Sequence, residues 1–171
     1  MKYRDIIENA LHDHGADYCE IRIEETDNTR LTYRGNSLDT IGQTSGLGGN
    51  VRAVTRGGWG FASFNSIDEL KSKVFDATAQ SKAVGNSKTE LSHVDPCVDV
   101  VPAHIVSDPF RVPLAEKKRI MDHYKDLIWS IKGINSADII YADTSRKTFF
   151  GSSDGSYIEQ EQVHVITRIS A

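Results

Sequence analysis

Apolar residues recur at helical spacing in three places along the chain and alternate with polar ones between them. Over residues 3–14, Tyr3, Ile6, Ile7, Ala10 and Leu11 fall on one face and Glu8, His12 and Asp13 on the other, which predicts an amphipathic helix. Gly15 is placed to end it in the left-handed region. Cys19, Ile21 and Ile23 then alternate with Glu20, Arg22 and Glu24, a half-buried strand. Asp27-Asn28 reads as a turn, Thr29–Arg34 as a second strand, Gly35-Asn36-Ser37 as a turn and Leu38–Thr44 as a third strand. Ser45–Gly49 reads as a glycine-rich connection into a hairpin. One arm holds Val51, Ala53 and Thr55 against Asn50, Arg52 and Val54, and the other brings back Trp59, Phe61 and Phe64. Gly57-Gly58 is expected to supply the positive φ angles of the hairpin, and the three aromatics are expected to enter the core. Ser66-Ile67-Asp68-Glu69 has the form of a capping box, opening a helix over 67–83 with Ile67, Leu70, Val74, Ala77 and Thr78 inward and Gly85 as its stop.

Between Asn86 and Val112 the periodicity lapses. All four prolines fall between Pro96 and Pro113, so the stretch reads as an extended crossing segment separating two halves. A long helix follows from about Pro113 to Gly133. Its predicted face is Leu114, Met121, Tyr124, Ile128 and Ile131, widened by Ile120 and Leu127, with Lys117, Lys118, Arg119, Asp122 and Lys125 outside it. Ala137–Asp143, Lys147–Phe150, Tyr157–Gln162 and Val163–Ile169 read as strands. The second half resembles the first. Both pass from a helix through a terminal glycine to Ala-Asp (Ala16-Asp17, Ala137-Asp138) and then to Arg-x-Thr-aromatic-x-Gly at Arg30–Gly35 and Arg146–Gly151. The expectation is an α+β chain built from two helix-plus-antiparallel-meander units, residues 1–85 and 113–171, joined by 86–112. The second copy is truncated, lacking the hairpin and closing helix. Because the chain ends inside a strand pattern, a longer parent polypeptide is expected.

Composition narrows the function classes. The chain has 171 residues, a charged fraction of 26% and a formal net charge of −4, which argues against a nucleic-acid binder driven by a broad basic surface. Two distant cysteines, Cys19 and Cys97, do not form a disulfide framework, so a cytoplasmic setting is expected. The N-terminus has no secretory h-region, and no apolar run reaches the roughly 20 residues of a membrane span.

Few residues have the pattern of a reactive site. His12 and His14 sit at a helix end, where imidazolium suits the dipole. His93, Cys97 and His104, with Asp95 and Asp99 among them, could seed a metal site, but a fourth ligand is not evident and a surface loop is the simpler reading. Gly46-x-Gly48-Gly49 could cradle a phosphate, yet a strand follows where that chemistry needs a helix N-terminus, so a bulge or tight turn is expected. Glu20, Glu24 and Glu25 with Arg22 could serve acid–base work, and an outer strand face is the commoner arrangement. Lys117, Lys118 and Arg119, balanced by Glu116 and Asp122, read as a solvated helix face. No residue is assigned a catalytic, cofactor-binding or metal-binding role.

In order and spacing, several strings resemble the N-terminal region of the TldD/PmbA family, metallopeptidases also called modulators of DNA gyrase. They are the opening helix with Gly15-Ala16-Asp17, the acidic strand Glu20–Glu25, the run Gly46-Leu47-Gly48-Gly49-Asn50-Val51-Arg52-Ala53-Val54 and the following Gly58-Trp59-Gly60-Phe61-Ala62. The last two are closer to the TldD branch. The resemblance implies a cytoplasmic zinc peptidase acting on unfolded or short peptides, as a homo-oligomer or paired with a PmbA-like chain. Its zinc would be held by a His-Glu-x-x-x-His helix and a later cysteine in a C-terminal region. None of the six histidines here is followed by Glu, so this chain is expected to be inactive alone, with no cofactor of its own. Membrane association and direct nucleic-acid binding are not expected. The alternative is a non-enzymatic protein-interaction module.

Overall fold

A computed structural model describes residues 1–87 and 91–171. Its elements in chain order are α1 (Arg4–Leu11), β1 (Tyr18–Arg34), β2 (Ser37–Thr55), β3 (Gly58–Phe64), α2 (Leu70–Val84), β4 (Val98–Val101), α3 (Leu114–Trp129), β5 (Asp138–Ser152) and β6 (Tyr157–Ser170). The strands form a mixed sheet in the order β3-β2-β1-β5-β6-β4, so the α+β class is correct.

The strands are longer and fewer than the sequence predicts. Every pair of short strands proposed within a meander is one continuous strand. β1 runs 17 residues through the supposed Asp27-Asn28 turn, and β2 runs 19 residues through the supposed Ser45–Gly49 connection. β5 and β6 likewise absorb the breaks placed after Asp143 and Gln162. Turn-forming side chains do not make a turn when strand neighbours satisfy them. Ser45 Oγ donates to Asp27 Oδ1 at 2.5 Å and Thr144 Oγ1 to Asn28 Oδ1 at 2.9 Å, replacing the local backbone bonds that an Asx turn would use.

The chain divides into two compact units, each drawing on both halves of the sequence. Unit 1 comprises residues 1–25, 47–102 and 147–161. Its core joins Ile7 and Leu11 of α1, Cys19, Ile21 and Ile23 of β1, Val51 and Ala53 of β2, and Leu70, Val74 and Ala77 of α2. The β1 alternation is therefore as predicted, and so is the inward face of α2, to which Ser81 is added. The helix opens more tightly than expected. Ile67–Glu69 is a single 3₁₀ turn, with the Ser66 hydroxyl accepting from the Asp68 amide.

The hairpin between β2 and β3 differs in two respects. Positive φ falls on Arg56 and Gly57, not on Gly57 and Gly58. Thr55 pairs with Gly58, which leaves a two-residue loop whose mirror-image turn needs both central residues left-handed. Gly58 is required instead for space, since a Cβ there would lie 2.6 Å from Gly85 Cα. The alternation of β3 buries Gly58, Gly60, Ala62 and Phe64 and exposes Trp59 and Phe61. Trp59 and Phe61 are thus not core residues. Glycines occupy the inward positions because α2 lies directly on the strand, so the large rings take the opposite face. There the Arg52 guanidinium stands 5.6 Å from the centre of the Trp59 ring and also pairs with Glu20.

Unit 2 comprises residues 26–46, 103–146 and 162–171. Leu31 and Tyr33 of β1, Met121 and Ile128 of α3, and Ile139 and Tyr141 of β5 form its core. Pro113 caps α3 from outside the helix. Tyr124, Leu127 and Ile131 are exposed, so the buried stripe of α3 is narrower than predicted. Lys117, expected in solvent, is 3% exposed. Its ammonium donates to Asp143 Oδ2 at 2.5 Å and approaches Thr29 Oγ1 at 3.4 Å, beneath the rings of Phe110 and Tyr141. Helical periodicity cannot show this, because the partner carboxylate comes from a distant strand.

The aperiodic stretch 86–112 contains β4, whose four residues are too short to leave a period; residues 88–90 lie outside the description. β4 pairs in parallel with β6, Val98 opposite Tyr157 and Val101 opposite Gln160. Among the described residues no helix is long and apolar enough to cross a membrane.

Candidate functional site

The chain gathers most of its chemistry on the tyrosines. Five of the six donate to a carboxylate: Tyr3 to Glu25, Tyr18 to Glu20, Tyr33 to Asp122, Tyr141 to Asp143 and Tyr157 to Glu159, at 2.6–2.9 Å. Three of these are Tyr-x-acid pairs two apart on a strand, where residues i and i+2 share a face. The signal is legible in Tyr18-Cys19-Glu20, Tyr141-Ala142-Asp143 and Tyr157-Ile158-Glu159, and sequence reasoning missed it. Burial, then the carboxylate partner, holds each of these four phenols other than Tyr3 well above its usual range, as donors and not bases. Tyr3 is raised for the same two reasons.

The carboxylates of two of the pairs, Glu25 and Glu159, line a cavity of about 240 Å³ in unit 1. Its wall is built by neighbouring strands: Glu25 at the middle of β1, Lys147 and Phe149 on β5, Glu159 and Glu161 on β6, and Val100 and Val101 on β4. Lys2 closes one side, its ammonium on Glu25 and its amide donating to Glu159 Oε1 at 2.8 Å. Lys147 pairs with Glu161 at 2.5 Å. Burial works against the Glu25 carboxylate, but the hydrogen bonds from Lys2 and Tyr3 together outweigh it, and its pKa lies below the ordinary glutamate value. The cavity therefore sets two lysines and three glutamates around the buried Phe149 ring, with no imidazole, hydroxyl or thiol among its lining residues.

The residues singled out from sequence are dispersed. His12 is exposed and paired with Asp13 at 2.7 Å. His14 accepts from the Ala16 amide at 3.2 Å, and burial lowers its pKa. His93 is exposed beside Asp95, and His104 is exposed. Glu20 serves Arg52 and Tyr18, while Glu25 joins the cavity. Lys118 pairs with Asp122 and Arg119 with Glu116, as a solvated helix face should, and Lys117 alone departs from that reading. Gly46, Gly48 and Gly49 lie within β2, where no loop exists to cradle a phosphate. Gly49 admits no side chain, because a Cβ would overlap the Phe64 ring and the Arg22 carbonyl. Among the described residues no three His, Cys, Asp or Glu side chains converge as a metal-ligand group. The donors present thus do not form a zinc site, and no step through zinc is derived for this chain.

The two thiols are chemically distinct. Cys19 is fully buried and burial pushes its pKa up to about 12, whereas Cys97 is exposed. Native protein is expected to react rapidly with a thiol reagent at Cys97 alone, and at Cys19 only after denaturation. Two fast-reacting thiols in the native state would contradict this packing.

A family model, PmbA/TldA metallopeptidase domain 1, matches residues 19–81. A metalloprotease from Synechocystis sp. is 32% identical over 147 residues, covering 85% of this chain and 32% of that protein. The chain belongs to the TldD/PmbA family. A metalloprotease from Methanocaldococcus jannaschii is 28% identical over 152 residues, covering 85% of this chain and 33% of its own length. This TldD/PmbA chain thus spans about a third of the length of the curated relatives it matches. Its fold matches a Thermotoga maritima protein described as a candidate DNA gyrase modulator, with a TM-score of 0.74 at 12% identity over 97% of this chain and 38% of that one. It also matches TldE from Thermococcus kodakarensis, with a TM-score of 0.64 at 15% identity over 96% of this chain and 42% of that one.

Proposed function

We propose that this chain is the non-catalytic first domain of a zinc-dependent peptidase that hydrolyses unfolded or short peptides, and that it shapes the substrate cleft and the oligomer interface. The observation that carries the proposal is the match of residues 19–81 to a metallopeptidase first domain in a chain whose described residues assemble no metal-ligand group. The domain's contribution is recognition. The unit 1 cavity, with paired charges over an aromatic floor, suits an extended polypeptide of mixed sequence better than a small anion or a nucleotide. Zinc, its ligands and the general base would be supplied outside these residues. The partner would be a second copy or a PmbA-like chain, and the setting cytoplasmic.

The test is a peptidase assay on an unfolded substrate with two proteins. One is the 171-residue chain; the other is the polypeptide encoded by its complete reading frame. Hydrolysis that requires the longer polypeptide, and that a chelator abolishes and zinc restores, is the expected result. A complete reading frame without a His-Glu-x-x-x-His helix, or chelator-sensitive hydrolysis by the 171 residues alone, would overturn it.

A further inference from the structure

A second cavity of unit 1, also about 240 Å³, opens where the last turn of α1 meets the first two turns of α2. Asn9 and the three residues His12, Asp13 and His14 beyond the end of α1 supply one wall. Lys71 and Phe75 of α2 supply the other, with the buried Ala10 and Val74 as further apolar lining.

The turn after α1 explains how three consecutive side chains reach one cavity. In an extended segment they would alternate between opposite faces. Here His12 is extended, Asp13 takes the left-handed region at φ 59° and Gly15 takes it again at φ 64°. Aspartate is one of the few side chains that tolerate this conformation.

An account of donors and acceptors gives the charge of a matching ligand. The single carboxylate, Asp13, is already taken up by His12, whose Nδ1 lies 2.7 Å from Asp13 Oδ2. His14 Nδ1 accepts from the Ala16 amide at 3.2 Å, so the neutral ring carries its proton on Nε2 and has that N–H left to donate. Burial favours this neutral ring, and Asp154 and Lys82 act on it with opposite signs. Lys71 is exposed and has no ion-pair partner among the described residues, whereas Lys73 is shared by Glu69 and Asp76. The two helix ends at the cavity carry opposite partial charges and offset one another. What remains is one uncompensated cation with two neutral donors, Asn9 and His14. That set matches a monoanion. It is short of charge for a phosphate dianion, and no three metal-ligand groups converge among the described residues.

Phe75 gives the rest of the ligand. Its ring is 73% exposed, more than any other phenylalanine of the chain, and it stands on the wall of the cavity. A ring left in water there offers a stacking face. The volume is below the range of about 300–1,000 Å³ usual for drug-sized ligands, so the space suits roughly two fused rings and not a nucleotide.

We propose that this cavity binds a small aromatic carboxylate, its carboxylate held by Lys71, Asn9 and His14 and its ring laid against Phe75. The site is separate from the cavity around Phe149, and the inference does not rest on the peptidase reading.

The test is a titration of the 171-residue chain with 2-naphthoate, followed by calorimetry and by the imidazole proton resonances. Saturable binding is expected, shifting the ring protons of His12 and His14 and leaving those of His123 and His164, which are exposed in unit 2. The neutral 2-naphthamide has the same ring and should bind ~10-fold or more weakly, a comparison that needs no variant to fold. Lys71→Gln should weaken 2-naphthoate binding by a similar ~10-fold, and Phe75→Ser by about 3-fold or more. Lys73→Gln, one turn-face away and outside the cavity, should bind as the parent does. If Lys71 and the histidines serve only as capping charges for α1, Lys71→Gln will lower the unfolding temperature and leave binding unchanged. That outcome, equal affinity for the amide, shifts confined to His123 and His164, or no saturable binding would each overturn the site.

Discussion

Lys117→Ala is expected to lower the stability of the folded chain by about 3–5 kcal/mol, the usual result of removing one partner from a buried ion pair. The loss of the α3 side chain would strand Asp143, whose carboxylate is fully enclosed and whose Oδ1 already has no hydrogen-bond partner. Tyr141 OH, donating at 2.6 Å, would be the remaining support of that charge. The penalty comes mainly from the uncompensated carboxylate and not from the lost attraction. The double variant Lys117→Met with Asp143→Leu removes both charges and keeps side-chain volume, so it should recover most of the loss or exceed the parent. Denaturant midpoints of the three proteins, at unchanged slope, decide the matter. If Lys117→Ala costs no more than a surface substitution, or if the double variant is the least stable of the set, the pair is not buried as described.

Gly60→Val should be the most damaging single change in unit 1. A Cβ on Gly60 would overlap the Ala77 carbonyl oxygen and lie 2.7 Å from the Ser81 amide nitrogen, both backbone atoms of α2. No rotamer change relieves a clash with backbone. The helix must move off β3, opening a core in which Ala77 is fully buried. The cost is expected at or above the ~3 kcal/mol end of the range for overpacking. Gly42→Ala is the matched comparison. Its Cβ would meet nothing within 4 Å, so the substitution should be neutral or stabilise by about 0.4–1 kcal/mol through the unfolded state. Thermal unfolding of the two variants, with equal effects or the opposite order, would contradict the helix-on-strand contact.

These expectations separate what was legible from what was not. Where burial is set by one element against solvent, the alternation is enough. Cys19, Ile21 and Ile23 are read correctly from their spacing, as are Leu70, Val74 and Ala77. Where burial depends on how close a second element lies, spacing misleads. Trp59 and Phe61 have the size of core residues and the right phase for one face of a strand. The face that α2 approaches is the one occupied by Gly58 and Gly60, because only glycine fits beneath the helix backbone. The Tyr-x-acid pairs, of which Tyr157-Ile158-Glu159 supplies Glu159 to the unit 1 cavity, were present as a period-two signal. The cavity itself was not, since it draws on positions 2, 25, 100, 147, 149, 159 and 161, which no local pattern relates.

The amino-acid sequence by itself determined the α+β class, the three helices and their approximate bounds, the buried alternation at the start of β1, and the strings shared with the TldD/PmbA family. These follow from local periodicity, which is a property of one element at a time. Tertiary structure alone decided that Asp27-Asn28 and Ser45–Gly49 are strand and not turn, because their polar side chains find partners on neighbouring strands. It also decided that Lys117 is inside, because Asp143 is there to meet it. And it decided that β3 pairs only with Gly49–Thr55 of β2, because β3 ends at Phe64 and the chain turns there into a helix instead of continuing alongside.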